Sequence, residues 1–235
     1  MKPLHLSAPV RQGLGSCLRP GGLVLTERML ALVRLPINPV VLDAGCGPGA
    51  TLHVLSESGV ARTIGIDADA SLLAEAGPGR RRVAQADLAH LPLADGCVDL
   101  IVCECAWNLT ERCRVMDEFA RVARAGAFLC LSDIYYRRQA PGGTGWPLPS
   151  CLSFASDLPT VRALVSGAGF MIERVEDHSQ LLTQSAAEFV FAHGSLHGFW
   201  TAVTGDPALA AQACAATAAH RPGLFLIIAR RHGGP

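Results

Sequence analysis

Short apolar runs alternate along this chain with longer segments whose apolar positions recur every three or four residues. The runs are Val40-Val41-Leu42, Thr63-Ile64-Gly65-Ile66, Arg82 to Gln85, Val98 to Cys103, Gly126 to Ile134, Phe170 to Val175 and Leu224 to Ala229. Runs of this length, bounded by turn residues, predict strands, and the apolar run from Val98 predicts a central one. The periodic segments between them predict helices. Gly22 to Leu35 puts Leu23, Met29, Leu30 and Val33 on one side and ends at Pro36 and Pro39. Thr51 to Ser58 is closed by Gly59, and Ser71 to Ala76 is stopped by Gly77-Pro78-Gly79. Thr110 to Ala125 spaces Val115, Phe119 and Val122 for one buried face behind a Thr110 cap, and Asp157 caps a helix reaching Gly167. Leu181 to Ala219 is expected to be mostly helical, broken near Gly205-Asp206-Pro207. The residues before Gly22, with Gly13, Gly15 and Pro20, are expected to be irregular.

Alternation of strand and helix from Val40 onward predicts an α/β fold: a mainly parallel, doubly wound sheet with helices on both faces. The helical stretch before the last strand is too long for a turn and is expected to form an inserted cap. One domain is expected over residues 1–235: a helical amino-terminal segment to 36, a core over 40–178, the cap over 179–219 and a last strand over 223–231.

Composition narrows this picture. Half of the 235 residues are hydrophobic and 17% are charged, as in a folded globular chain. Lys+Arg and Asp+Glu stand at 20 each, so no basic excess points to nucleic acid or an anionic membrane. No run is apolar for long enough to span a bilayer, and Met1-Lys2-Pro3-Leu4-His5 does not resemble a secretion signal, so a cytoplasmic protein is expected. Nine cysteines in such a chain predict reduced thiols, with Cys130, inside Ala127-Phe128-Leu129-Cys130-Leu131, as core filler. Oligomeric state is open, a homo-oligomer included.

The chemistry concentrates after the first strand, in Asp43-Ala44-Gly45-Cys46-Gly47-Pro48-Gly49-Ala50. Glycines there let the backbone approach a ligand, and the following helix offers unpaired N–H groups to it. Gly45, Gly47 and Ala50 satisfy a dinucleotide pattern; Gly45, Gly47 and Gly49, behind Asp43, satisfy a methyltransferase pattern. Asp43 would repel a pyrophosphate and attract an ammonium. Asp67, at the end of the second strand, can accept two ribose hydroxyls. Asp87, ending the third, can accept the amino group of adenine while the Leu88 N–H donates to the ring.

With these residues in view, Val41 to Leu131 resembles the class I S-adenosylmethionine-dependent small-molecule methyltransferases, of the type that includes quinone-biosynthesis C-methyltransferases. The resemblance rests on Val41-Leu42-Asp43-Ala44-Gly45-Cys46-Gly47-Pro48-Gly49, on Gly65-Ile66-Asp67, on Ala86-Asp87-Leu88 and on Leu91-Pro92-Leu93-Ala94-Asp95-Gly96-Cys97-Val98-Asp99-Leu100-Ile101-Val102. It implies a Rossmann-like seven-stranded sheet with its final strand antiparallel. It also implies S-adenosylmethionine as cofactor, S-adenosylhomocysteine as product, and further cofactor contacts at Ala68, Cys103 and Glu104.

From Cys105 on there is a local likeness to the arsenite methyltransferases, in Cys105-Ala106-Trp107-Asn108-Leu109, Leu131-Ser132-Asp133-Ile134-Tyr135 and Cys151-Leu152. That likeness implies that Cys105, Cys151 and, if the amino-terminal segment brings it over, Cys17 hold a thiophilic substrate as thiolates, soft ligands suiting a soft centre. Cys17 lies further upstream than the family's pattern places its cysteine, and no counterpart of the family's carboxy-terminal extension is expected after the last strand. An ordinary carbon, oxygen, nitrogen or sulfur acceptor stays open beside it. Trp107, Tyr135, Tyr136 and Trp146 are candidates to wall the acceptor pocket. His193 and His197 share a helix face without a third ligand, so no metal is expected; His178 and Glu173 are expected at the surface. Two rivals remain: a nicotinamide-dependent oxidoreductase, disfavoured by Asp43 and Asp87, and a non-catalytic S-adenosylmethionine-binding regulatory or assembly protein, which would carry the same turn and acids.

Overall fold

The computed structural model describes residues 3–76, 82–138 and 145–233. The elements run in the order α1 (Ala8–Leu14), α2 (Val24–Leu32), β1 (Val40–Ala44), α3 (Ala50–Glu57), β2 (Arg62–Asp67), α4 (Ala70–Glu75), β3 (Arg82–Gln85), β4 (Val98–Glu104), α5 (Arg112–Val122), β5 (Ala123–Tyr136), α6 (Leu158–Gly167), β6 (Phe170–Asp177), α7 (Ser179–His193), α8 (Leu196–Thr204), α9 (Pro207–His220) and β7 (Pro222–Arg231). The seven strands form one sheet in the order β3-β2-β1-β4-β5-β7-β6. β1 pairs in parallel with β2 and β4, β2 with β3, and β4 with β5, while β7 runs antiparallel to both β5 and β6. This is the mostly parallel, doubly wound sheet expected, with its final strand reversed and a helical insertion before it.

The sheet buries both faces. On β5, Leu129, Leu131 and Tyr135 enter one apolar cluster, with Phe119, Val161 and Phe225; Phe128, Cys130 and Ile134 enter the other, with Leu25, Met29 and Leu224. That is the period-two alternation of a strand packed on both sides. A third cluster, of Val10, Phe199, Trp200, Ala210 and Ala213, lies outside the sheet and joins α1 to the cap.

Several boundaries differ from the sequence reading. The amino-terminal segment is not irregular throughout: Ala8–Leu14 is helical, with Pro9 in its first turn, where a missing N–H costs nothing. Thr110 does not cap α5. Its hydroxyl donates to the Trp107 carbonyl at 2.7 Å, and Glu111 occupies the N-cap without a side-chain bond. β5 begins at Ala123, which pairs with Val98 ahead of a bulge. The insertion breaks at Gly194 as well as at Gly205, both in the left-handed region (φ 75° and 71°). Asp157 caps α6 as expected, accepting from the Thr160 N–H at 2.9 Å. The stop at Gly77-Pro78-Gly79 lies outside the described residues. Among the described residues no helix is long and apolar enough to cross a membrane.

Candidate functional site

The carboxyl ends of β1, β2 and β4 meet a tight turn whose three glycines, Gly45, Gly47 and Gly49, have φ of 79°, 50° and 82°. Side chains are strained in that region. Gly45 is also constrained by space, since a Cβ there would stand 2.3 Å from the Ala106 Cβ. Asp67 ties the turn down: its carboxylate accepts from the Gly47 N–H at 2.8 Å and from the Asp69 N–H at 2.9 Å. The turn opens on a cavity of about 770 Å³ lined by Gly45, Cys46, Gly47, Asp67, Ala68, Asp87, Leu88 and Glu104.

Asp43 lies behind this wall, almost wholly buried, and its Oδ2 has no hydrogen-bond partner. Burial raises its pKa from 3.8 to about 7, against the pull of Arg19 and with the push of Glu104 and Asp67. Glu104 carries a second buried orphan, Oε1. Its Oε2 is fully used: it accepts from the Thr26 hydroxyl at 2.9 Å and the Thr51 hydroxyl at 3.0 Å, and pairs with the Arg19 guanidinium at 3.0 Å. Two buried carboxylates with idle oxygens form a donor set that seeks a cation. Arg19 brings the amino-terminal segment over the turn, and Cys17, Leu18 and His5 of that segment complete the cavity wall.

A second cavity, of about 540 Å³, lies between the amino-terminal segment, the end of β5 and the cap. Val10, Leu14, Ile134, Leu152, Leu182, Phe189, Phe199, Trp146 and Trp200 line it. His5, Leu18, Cys105 and Leu109 line both cavities and mark where they meet. Burial holds the His5 imidazole below its ordinary pKa, against the opposing pull of Asp67 and Asp69.

The sequence candidates thus separate. Gly45, Cys46, Gly47, Asp67, Ala68, Asp87, Leu88 and Glu104 share the first cavity, while Asp43, Gly49 and Cys103 stand behind its surface. Trp107 and Tyr135 wall neither cavity. Trp107 is wholly enclosed, its indole N–H donating to the Arg112 carbonyl at 3.3 Å, and Tyr135 packs edge-on against Phe225. Trp146 does line the second cavity; Tyr136, beside it, donates to the Leu152 carbonyl. The three thiols do not converge: Cys17 faces the first cavity, Cys151 the second and Cys105 both, and no metal-binding group of three His, Cys, Asp or Glu side chains exists among the described residues. Burial, then the nearby Asp133, pushes the Cys105 and Cys151 thiols well up from their ordinary pKa. His197 meets the Pro207 carbonyl, and Glu173 pairs with Arg230.

The text around Cys105 has a structural role of its own. Asn108 donates to Asp133 and to the carbonyls of Ile134 and Cys151, at 3.1, 2.7 and 3.1 Å, and the Cys105 N–H donates to the Ser132 carbonyl at 2.8 Å. Asn108 and Asp133 therefore pin the loop bearing Cys151 to the ends of β4 and β5. Sequence reasoning missed Arg19 and His5, which carry no local motif and reach the site only through the packing of the amino-terminal segment.

Residues 42–131 match the family model described as "Methyltransferase domain". An arsenite methyltransferase of Halobacterium salinarum is 29% identical over 156 residues, covering 60% of this chain and 39% of that protein. A malonyl-acyl-carrier-protein O-methyltransferase of Pectobacterium atrosepticum is 34% identical over 113 residues, covering 46% and 44%. The matched part of this chain thus spans less than half the length of either relative. Among solved structures, Haemonchus contortus phosphoethanolamine N-methyltransferase 2, in complex with S-adenosyl-L-methionine, superimposes with a TM-score of 0.74 at 14% identity, over 96% of this chain and 56% of that one. The 4+2 cyclase SpnF superimposes with a TM-score of 0.69 at 25% identity, over 89% and 80%. The fold is that of the class I S-adenosylmethionine-dependent methyltransferases.

Proposed function

We propose that this chain is an S-adenosylmethionine-dependent methyltransferase whose cofactor occupies the first cavity and whose small-molecule acceptor occupies the second. A fold shared with a cyclase does not by itself name a reaction. The observation that carries the reading is the pair of orphaned buried carboxylate oxygens, on Asp43 and Glu104, around the glycine turn. A dinucleotide would bring a pyrophosphate to that turn; the methionine moiety brings an ammonium.

Bound there, the cofactor supplies a methyl group activated on a sulfonium. Asp43 and Glu104 would hold the ammonium, Asp67 the ribose hydroxyls, and Asp87 with the Leu88 N–H the adenine. The chain's remaining work is to align the acceptor at the junction and keep water out. One side chain there can act chemically. A hydroxyl, amine or carbon acid would lose its proton to the imidazole of His5, whose pKa burial lowers and so favours the neutral, proton-accepting form. A soft nucleophile would need no base.

The test is calorimetry with S-adenosylhomocysteine and NADH, followed by methyl-transfer assays. Tight S-adenosylhomocysteine binding, weakened by about 1.5–3 kcal/mol in Asp67→Ala, is expected. Tight NADH binding instead would restore the oxidoreductase reading. Cofactor binding without turnover on any acceptor would favour a non-catalytic regulatory or assembly role.

A second reading, a thiophilic acceptor held by thiolates, is favoured by the shared cavity of Cys105 and Cys151 and by the two relatives named arsenite methyltransferase, at 29% and 33% identity. Against it, both thiols are held protonated by burial, and Cys17 lies on the other side of the junction. Arsenite binding abolished by Cys105→Ser and by Cys151→Ser, and kept in Cys130→Ser, would establish it. The quinone-type likeness concerns the cofactor half and leaves the acceptor open.

A further inference from the structure

The second cavity has a polarity that the reaction alone does not require. Its wall is apolar from the cap helices to α1. Two of the three helix hydroxyls on it are bonded back to their own helices: Thr183 donates to the Ser179 carbonyl at 3.0 Å and Thr217 to the Ala213 carbonyl at 2.8 Å, while the third, Ser185, is buried. Two exposed arginines, Arg137 and Arg221, line it where β5 leaves the sheet and α9 turns into β7. Arg137 is anchored there, its backbone N–H and its Nε both donating to the Arg221 carbonyl, at 3.4 and 3.1 Å. Neither arginine forms a salt bridge with any described residue. The carboxylate within Coulombic reach of Arg137 is Asp177, which is off the cavity wall and bonded to the hydroxyl and N–H of Ser179. Among the described residues no Asp or Glu lines this cavity, and burial lowers the pKa of His5, on the wall shared with the first cavity.

A cavity of this volume takes a ligand of drug-like size. Its occupant would have to satisfy an apolar body and leave two arginines facing its far end. We infer that the second cavity binds an amphiphilic anion: an apolar acceptor bearing a carboxylate or phosphate group that Arg137 and Arg221 hold, so that its opposite end meets the junction at Cys105, Leu109 and His5. This rests on the reading of the second cavity as the acceptor site. Guanidinium groups bind either anion in a fork, so both head groups share the chemistry. The arginines are positioning residues. They fix which end of the acceptor reaches the methyl donor, and take no part in the transfer.

The test uses the two tryptophans in the cavity wall, Trp146 and Trp200, as reporters of binding by decanoate, decyl phosphate and decan-1-ol below their aggregation limits. At least one anion should bind about tenfold or more tightly than the alcohol, the scale of hydrogen bonds to a charged group at a partly exposed rim. In the double variant R137Q/R221Q that preference should vanish while alcohol binding stays. In R162Q, on the exposed side of α6, it should persist. Equal binding of alcohol and both anions in the wild type, a preference that survives in the double variant, or no binding of any probe would each overturn the inference. Calorimetry with S-adenosylhomocysteine on the same preparations separates the two proposals. If it binds and the anion preference is absent, this inference alone fails. If the anion preference is present without it, the cofactor reading fails and the anion site stands.

Discussion

Asp43 shows how far a single residue can carry the functional argument. A carboxyl with a folded pKa of about 7 against an ordinary 3.8 keeps its proton below neutrality. Between those values the folded state binds more protons than the unfolded one, so Asp43 costs stability progressively as pH rises from about 4 to 7. A bound ammonium reverses the preference, because it favours the anion. S-adenosylhomocysteine binding at pH 6 should therefore release about one proton, read from calorimetry in buffers of different ionisation enthalpy, and at pH 8 close to none. Asp43→Asn should abolish the release at pH 6; an unchanged release would remove Asp43 from the site. Gly45 supplies a steric counterpart. Gly45→Ala demands both a positive φ and a carbon 2.3 Å from the Ala106 Cβ, so it should destroy cofactor binding outright, with the loss visible in calorimetry even where the protein still melts cooperatively. Residues of this kind were legible in the sequence because their spacing is tied to a strand end. Trp107 and Tyr135 were not. Nearness in sequence to the strand ends says nothing about direction, although alternation along β5 does put Tyr135 on the face opposite Ile134, which lines the second cavity.

At the level of elements, every strand and all the longer helices were legible, most because they bury enough apolar surface to print their period on the sequence, the largely exposed edge strand β3 because turn residues bound it. The exception, α1, has seven residues including Pro9 and Gly13, too few to hold together alone. It exists through contact with α7 and α8, which no local pattern records. Gly13 allows that contact: a Cβ there would meet the Phe189 ring at 2.3 Å, and Phe189 is itself stacked on Phe199 with centroids 4.3 Å apart. Two effects compete in Gly13→Ala. Helix propensity favours alanine by about 1 kcal/mol. Overpacking against a ring already stacked on Phe199 costs about 1–3 kcal/mol. The steric effect should win, so hydrogen exchange should show faster opening of residues 8–14 with the sheet amides unchanged. Slower exchange in α1 would mean that the ring yields and the helix packing is looser than drawn.

For the whole molecule, residues 3–23 form a strap across both cavities, and the sheet does not depend on them. Neither of the two sheet clusters has a fully buried member earlier than Leu25. The strap is fastened by Val10 in the cap cluster and by Arg19, because the other ion pair it makes, Arg11 with Glu75, is largely exposed and adds little. A chain beginning at Val24 should therefore keep a cooperative melt, since Glu104 would then meet solvent rather than stand buried and unpaired. It should bind S-adenosylhomocysteine at least about tenfold more weakly, the loss expected when the hydrogen bonds and cover around a charged group go. Arg19→Met in the full chain poses a sharper question. With the strap closed, Glu104 would be buried without its partner, at a cost of about 3–5 kcal/mol. Lifting the strap avoids that cost, and what opposes it is the packing of Leu4, Val10 and Leu14 against the cap. The substituted chain should then behave like the truncated one: newly cleavable by protease within residues 3–23, similarly weakened toward S-adenosylhomocysteine, and intact in its sheet. A strap that stays protected in Arg19→Met, or a truncated chain that does not fold, would show that the amino-terminal segment belongs to the core rather than lying over it.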